Sequence, residues 1–146
     1  MLGGATALAL TITLPAAPVA HADEIAHTAG FAANQTWSQT LPDGNNPIAL
    51  SSPNVANLDG QPAVVVGDTA GLVWALHVAN GTPVGGWPYH AGAPINSSPS
   101  VAPINANGTD TVYIGSGDAA NSTVGGYQAI APNGGDQWFQ VANNPP

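Results

Sequence analysis

Apolar residues in this chain come in short runs closed by turn residues. Ala63-Val64-Val65-Val66 is β-branched and stops at Gly67. Leu72 to Val78 follows after a short gap, with Leu72, Trp74, Leu76 and Val78 on one face and Val73, Ala75 and His77 on the other. Both faces are largely apolar, which predicts a strand covered on both sides. Thr111-Val112-Tyr113-Ile114 and Tyr127-Gln128-Ala129-Ile130 predict the same pair of strands a second time. Gln35 to Leu41 reads as a further strand anchored by Trp37. Asp43-Gly44, Asp59-Gly60, Asn80-Gly81, Asn107-Gly108 and Asn133-Gly134 punctuate these runs. Such pairs supply the positive φ angles of tight hairpin turns. With 18 Gly and 14 Pro in 146 residues, no long amphipathic helix fits the region after residue 22. The pattern is all-β.

The runs belong to a repeat. Ser51-Ser52-Pro53 recurs as Ser97-Ser98-Pro99, an offset of 46. Val66-Gly67 matches Ile114-Gly115 at an offset of 48, and Ala75 matches Ala129 at 54. The residues added in the second unit fall in Gly117 to Gly125, rich in Ser, Asn and Gly, and predict a longer surface loop. A repeat of this length is one supersecondary unit used more than once, and such a unit needs neighbours to bury its apolar faces. The expected division is a leader over 1–22, an N-terminal segment with a partial blade strand over 23–50, and repeat units over 51–96 and 97–146.

Four short strands in about 46 residues match the blade of a β-propeller. The residues carry a more local likeness. Ser51 to Gly60 resembles the opening strand and acidic turn of an FG-GAP (VCBS)-type blade. Gly71-Leu72-Val73-Trp74-Ala75-Leu76, then Asn80-Gly81 and Trp87, resembles the quinoprotein-like (PQQ-like) repeat. Gly126-Tyr127-Gln128-Ala129-Ile130, Asn133-Gly134 and Trp138 repeat that pattern. His77 and Ala131 stand where the quinoprotein-like pattern carries an Asp, and Asn57 to Gln61 keeps one of the several acids of an FG-GAP calcium loop. The resemblance implies propeller blades of four antiparallel strands, about two of them, forming an incomplete ring. It implies an N-terminal fragment, or a chain that needs further blades or other copies to close the fold.

Charge narrows the functional classes. There is no Lys or Arg, against on the order of 15 to 20 expected from average composition. Eight carboxylates give a net charge of −8. Nucleic-acid binding rests on neutralising phosphates with Lys and Arg, so it is excluded. Adhesion to an anionic membrane is excluded for the same reason. There is no Cys, which removes disulfides, thiol catalysis and Cys-based zinc sites. Leu8 to Leu14 is an apolar core followed by Pro15, Pro18 and the small-x-small site Ala20-His21-Ala22. That reads as a signal peptide, though with no basic residue ahead of its core, and places the chain outside the cell. The apolar core is too short to span a bilayer.

Candidate chemistry is sparse. Asn105, Asn107 and Asp110 surround a Gly turn, as oxygen-ligand calcium loops do; the simpler reading is a polar hairpin turn. Asp59 and Asp68 read as turn residues. His77 and His90 lack a second His at i+4 and an obvious carboxylate motif. Ile114 stands where a nucleophile elbow around Ser116 requires Gly. Trp74 reads as core, and Trp87 and Trp138, at equivalent repeat positions, as packing between blades. A quinone cofactor wants cations for its carboxylates, and none exists here. No catalytic, cofactor-binding or metal-ligating residue is assigned, and no cofactor is expected, calcium being the one candidate. The expected function is a secreted, non-enzymatic propeller segment that binds a protein or glycan or serves as a scaffold. The alternative is the N-terminal part of a longer secreted hydrolase or oxidoreductase whose active site lies elsewhere.

Overall fold

Each apolar run becomes the middle of a sheet. The computed structural model describes residues 34–118 and 121–142. The expected signal peptide lies outside them. The described residues from Gln35 onward belong to one compact unit. The first sheet runs β1 (Asn54–Asn57), β2 (Pro62–Gly67), β3 (Leu72–His77) and β4 (Tyr89–His90). The second runs β5 (Ser100–Ala102), β6 (Thr111–Asp118), β7 (Asn121–Ile130) and β8 (Asp136–Val141). Both sheets are antiparallel with strands in sequence order. Among the described residues there is no helix, and the fold is all-β. All five predicted Asx-Gly turns carry a positive φ at Gly, between 73° at Gly81 and 96° at Gly60.

Side-chain alternation gives each sheet two faces. Val65, Val73 and Ala75 share one face of the first sheet and join Val112, Ile114 and Ile130 of the second in one core cluster. Ile95, in the connection between the sheets, is fully buried and fills the space where Gly67 lacks a Cβ. The repeated tripeptide does two jobs. Its first serine pins its own sheet: Ser51 Oγ accepts from the Gly67 N–H at 3.0 Å, and Ser97 Oγ from the Gly115 N–H at 3.1 Å. Its second serine joins the sheets, as Ser98 Oγ accepts from the Ser52 N–H at 2.9 Å.

Trp74, Val66 and Leu76 point to the opposite face of the first sheet and are also buried. Trp74 donates its indole N–H to the fully buried Asp68 at 2.7 Å. The other oxygen of Asp68 accepts from the Ala70 and Leu72 N–H groups, each at 2.9 Å. This carboxylate therefore closes the β2–β3 turn directly after Gly67. In the second sheet Ser116 and Gln128 occupy the two positions, and Gln128 Nε2 donates to Ser116 Oγ at 2.8 Å.

Two expectations are corrected. The stretch Gly117 to Gly125 is not a simple surface loop: β6 and β7 run on into it, pairing Gly117 with Gly125 and Asp118 with Asn121 across a bulge. Ser116 has no carboxylate to fold the chain back as Asp68 does, so the ladder continues. Residues 35–41 form no strand. Trp37 is nonetheless an anchor, its indole donating to the Val78 carbonyl at 2.8 Å while its ring covers Gly81.

Truncation of Trp74 to Ala is expected to cost about 3 to 5 kcal/mol, because it removes a core side chain and strips Asp68 of a donor. Urea unfolding measures it, and a midpoint unchanged from the parent chain contradicts the placement.

Candidate functional site

The turns at one end of the two sheets enclose a groove of about 710 Å³. Leu58 and Asp59 enter from the β1–β2 turn, Val84 and Gly85 from the β3–β4 connection. Asn105 to Asn107 and Thr109 come from the β5–β6 loop, and Ala131 to Asn133 from the β7–β8 turn.

Two sets of contacts hold these turns together. Asn57 and Asp110 form a reciprocal clasp. The Asn57 N–H donates to Asp110 Oδ2 at 2.6 Å, and the Asp110 N–H donates to the Asn57 carbonyl at 2.7 Å. The Asn57 side chain adds a bond to the Gly108 carbonyl at 3.2 Å and accepts from the Gly60 N–H at 2.8 Å. On the other side, the buried Trp87 donates its indole N–H to the Pro132 carbonyl at 3.0 Å. Beside it the backbones at Gly86 and Gly134 approach so closely that a Cβ on either would collide with the other segment. Trp87 thus meets the β7–β8 turn as Trp37 meets the turn after β3.

The three residues read as a possible calcium loop each make local bonds. Asp110 is in the clasp. Asn107 Oδ1 caps Thr109, and Asn105 Nδ2 donates to the Thr109 carbonyl at 2.9 Å. Among the described residues no three His, Cys, Asp or Glu side chains come together. His77 Nε2 lies 3.5 Å from Asp59 Oδ2, a partner that the sequence did not suggest. His90 lies exposed in β4.

The expected equivalence of Trp87 and Trp138 fails in space. Trp87 is 7% exposed between the sheets, whereas Trp138 is 47% exposed on β8, in line with Ala129 and Tyr113. Its ring centre lies 6.2 Å from that of Tyr113. The connection leading to Trp87 makes a turn of its own, with the Trp87 N–H bonded to the Val84 carbonyl, and so carries the ring inward. β8 starts directly after its turn and leaves Trp138 on the outer face. The sequence also missed the roles of Asn57, Asn133 and Gln137; the Asx-x-x-Gly spacing at Asn57 and the Asn-Gly turn at Asn133 were the available signals.

Tyr89 links the sheets, its hydroxyl donating to Asp136 Oδ1 at 3.0 Å. Burial, then the hydrogen bond and the charge of Asp136, push the phenol from 10.0 up to about 12. Comparison of the chain with protein-family models and with curated proteins finds no match to either.

A phenol held neutral above its unfolded pKa stabilises the fold fully below pH 10, and that contribution is lost as pH rises toward about 12. The melting temperature of the parent chain should fall more steeply across that window than that of a Tyr89→Phe variant. Parallel curves would remove Tyr89 from the interface account.

Proposed function

We propose that this chain is a segment of a secreted, non-enzymatic β-propeller and acts as a binding or scaffold module whose blades stack by a repeated contact. One observation carries the proposal. The first sheet covers Val65, Val73 and Ala75 with its neighbour, and all three are fully buried. Their counterparts in the second sheet are Tyr113, Tyr127 and Ala129, flanked by Trp138. Tyr127 is 66% and Trp138 47% exposed. Ala129 is buried and Tyr113 half-buried, so the face that is packed throughout in the first unit is open in the next at Tyr127 and Trp138. Open apolar surface of this kind marks an interaction site. A further blade of the same kind is the occupant that the repeat itself exemplifies, since a repeat unit buries its faces on its neighbours.

The same open face also suits the alternative, in which the chain is the opening part of a longer secreted hydrolase or oxidoreductase and the next blade begins the catalytic portion. Both readings use this chain for packing and recognition rather than for chemistry.

Hydroxyl-radical footprinting with mass spectrometry distinguishes an occupied face from an open one. Tyr127 and Trp138 should be strongly protected in the secreted protein from its native source and readily modified in the isolated 146-residue chain. Equal modification in both samples contradicts the stacking proposal.

A further inference from the structure

Several amides in the groove are held at one end and free at the other. Asn107 Oδ1 accepts from the Thr109 N–H at 3.1 Å and from its hydroxyl at 2.7 Å. Asn133 Oδ1 accepts from the Gly135 N–H at 3.1 Å. A backbone N–H only donates, so both amide orientations follow from their partners: oxygen inward to the turn, NH2 left over. Asn105 is fixed in the opposite sense, Nδ2 bonded to the Thr109 carbonyl at 2.9 Å and the oxygen left over. Gln137 pairs with the Thr111 hydroxyl at 3.3 Å, a partner that donates as well as accepts, so either end of this amide can face the groove. None of these leftover atoms has a hydrogen-bond partner among the described residues.

The groove thus presents fixed neutral donors and a fixed neutral acceptor together, with Ala106, Ala131 and Pro132 as its accessible apolar lining. Three ligand classes can be compared on that basis. An anion finds no cation here, and meets Asp59 and a chain of charge −8. A metal ion needs converging oxygens, but Asn107 and Asn133 offer N–H groups. A neutral polyhydroxylated ligand suits the set, because each hydroxyl both donates and accepts and its C–H faces can rest on the apolar lining. Amides locked by their own turns lose little rotamer freedom on binding. The groove volume, about 710 Å³, lies within the range of small-ligand sites.

The geometry points to this groove as a binding site for a neutral carbohydrate chain, an inference that rests on the binding-module reading above and names its ligand class. Asn107 and Asn133 donate to sugar hydroxyls, Asn105 accepts from them, and the turn bonds keep these three in place, while Gln137 can do either.

The test is an NMR titration of the full chain with cellohexaose, xylohexaose, mannohexaose, maltohexaose and chitohexaose in turn, each to about 10 mM, where weak millimolar affinities are visible. At least one sugar should give saturable shifts in the side-chain NH2 signals of Asn107 and Asn133. Asn107→Asp and Asn133→Asp keep an oxygen to cap Thr109 and Gly135 but replace the free donor with an acceptor. Each should weaken binding about 3- to 10-fold, the worth of one hydrogen bond, with an unchanged backbone spectrum. No response at the groove to any of the sugars overturns the inference. Shifts confined to Tyr127 and Trp138 overturn it too, while leaving the binding-module reading standing. Groove amides that respond to calcium chloride and to no sugar assign the site to a cation instead.

Discussion

Neither four-stranded sheet can bury its own apolar faces, and the contact between them is what the rest of the structure depends on. Val65, Val73 and Ala75 meet the side of the second sheet that carries Val112, Ile114 and Ile130. Burial of apolar area is the main favourable term available to such a chain. The absence of Lys and Arg makes that dependence sharper. His77 Nε2 lies 3.5 Å from Asp59 Oδ2. Other carboxylates use neutral donors. Asp68 takes an indole and two backbone amides, Asp110 the N–H of Asn57, and Asp136 the hydroxyl of Tyr89. Two of these three, Asp110 and Asp136, tie one sheet to the other. Acidic residues act here as acceptors that staple turns and sheets, without any cation.

The same logic runs from the core to the groove. Sheets pressed together by their apolar faces bring their turns side by side. The Asn57–Asp110 clasp and the Trp87–Pro132 bond then fix the turns in register. Turn closure consumes one end of the Asn105, Asn107 and Asn133 amides and leaves the other end facing outward from the turn. The proposed binding surface follows from how the turns are capped, and its lack of cations follows from the composition.

Much of this was legible in the sequence. The β-branched run at Ala63 to Val66 and the two-faced apolar run from Leu72 gave β2 and β3, and the Asx-Gly pairs marked the turns, because both signals are local. The Gly117 to Gly125 stretch was misread because the residues added there extend the β6–β7 ladder, whereas the first hairpin turns at once on Asp68. Trp37 looked like a strand anchor because a single tryptophan among Thr, Gln and Ser fits alternation. Its role comes instead from a carbonyl forty-one positions away. Trp87 and Trp138 matched in sequence but diverge in space, since the connection before Trp87 is longer and turns inward. The groove was invisible for a related reason: local turn bonds orient the amides, but only the packing of the two sheets brings them together.

Native-state hydrogen exchange on a Val112→Ala variant tests the interface most directly. Val112 belongs to the second sheet, yet its side chain faces the first. If the sheets form one cooperative unit, the amides of β2 and β3 should lose protection by the same free energy as those of β6 and β7. Undiminished protection in β2 and β3, with β6 and β7 alone weakened, would contradict the account, because the first sheet would then stand without its neighbour.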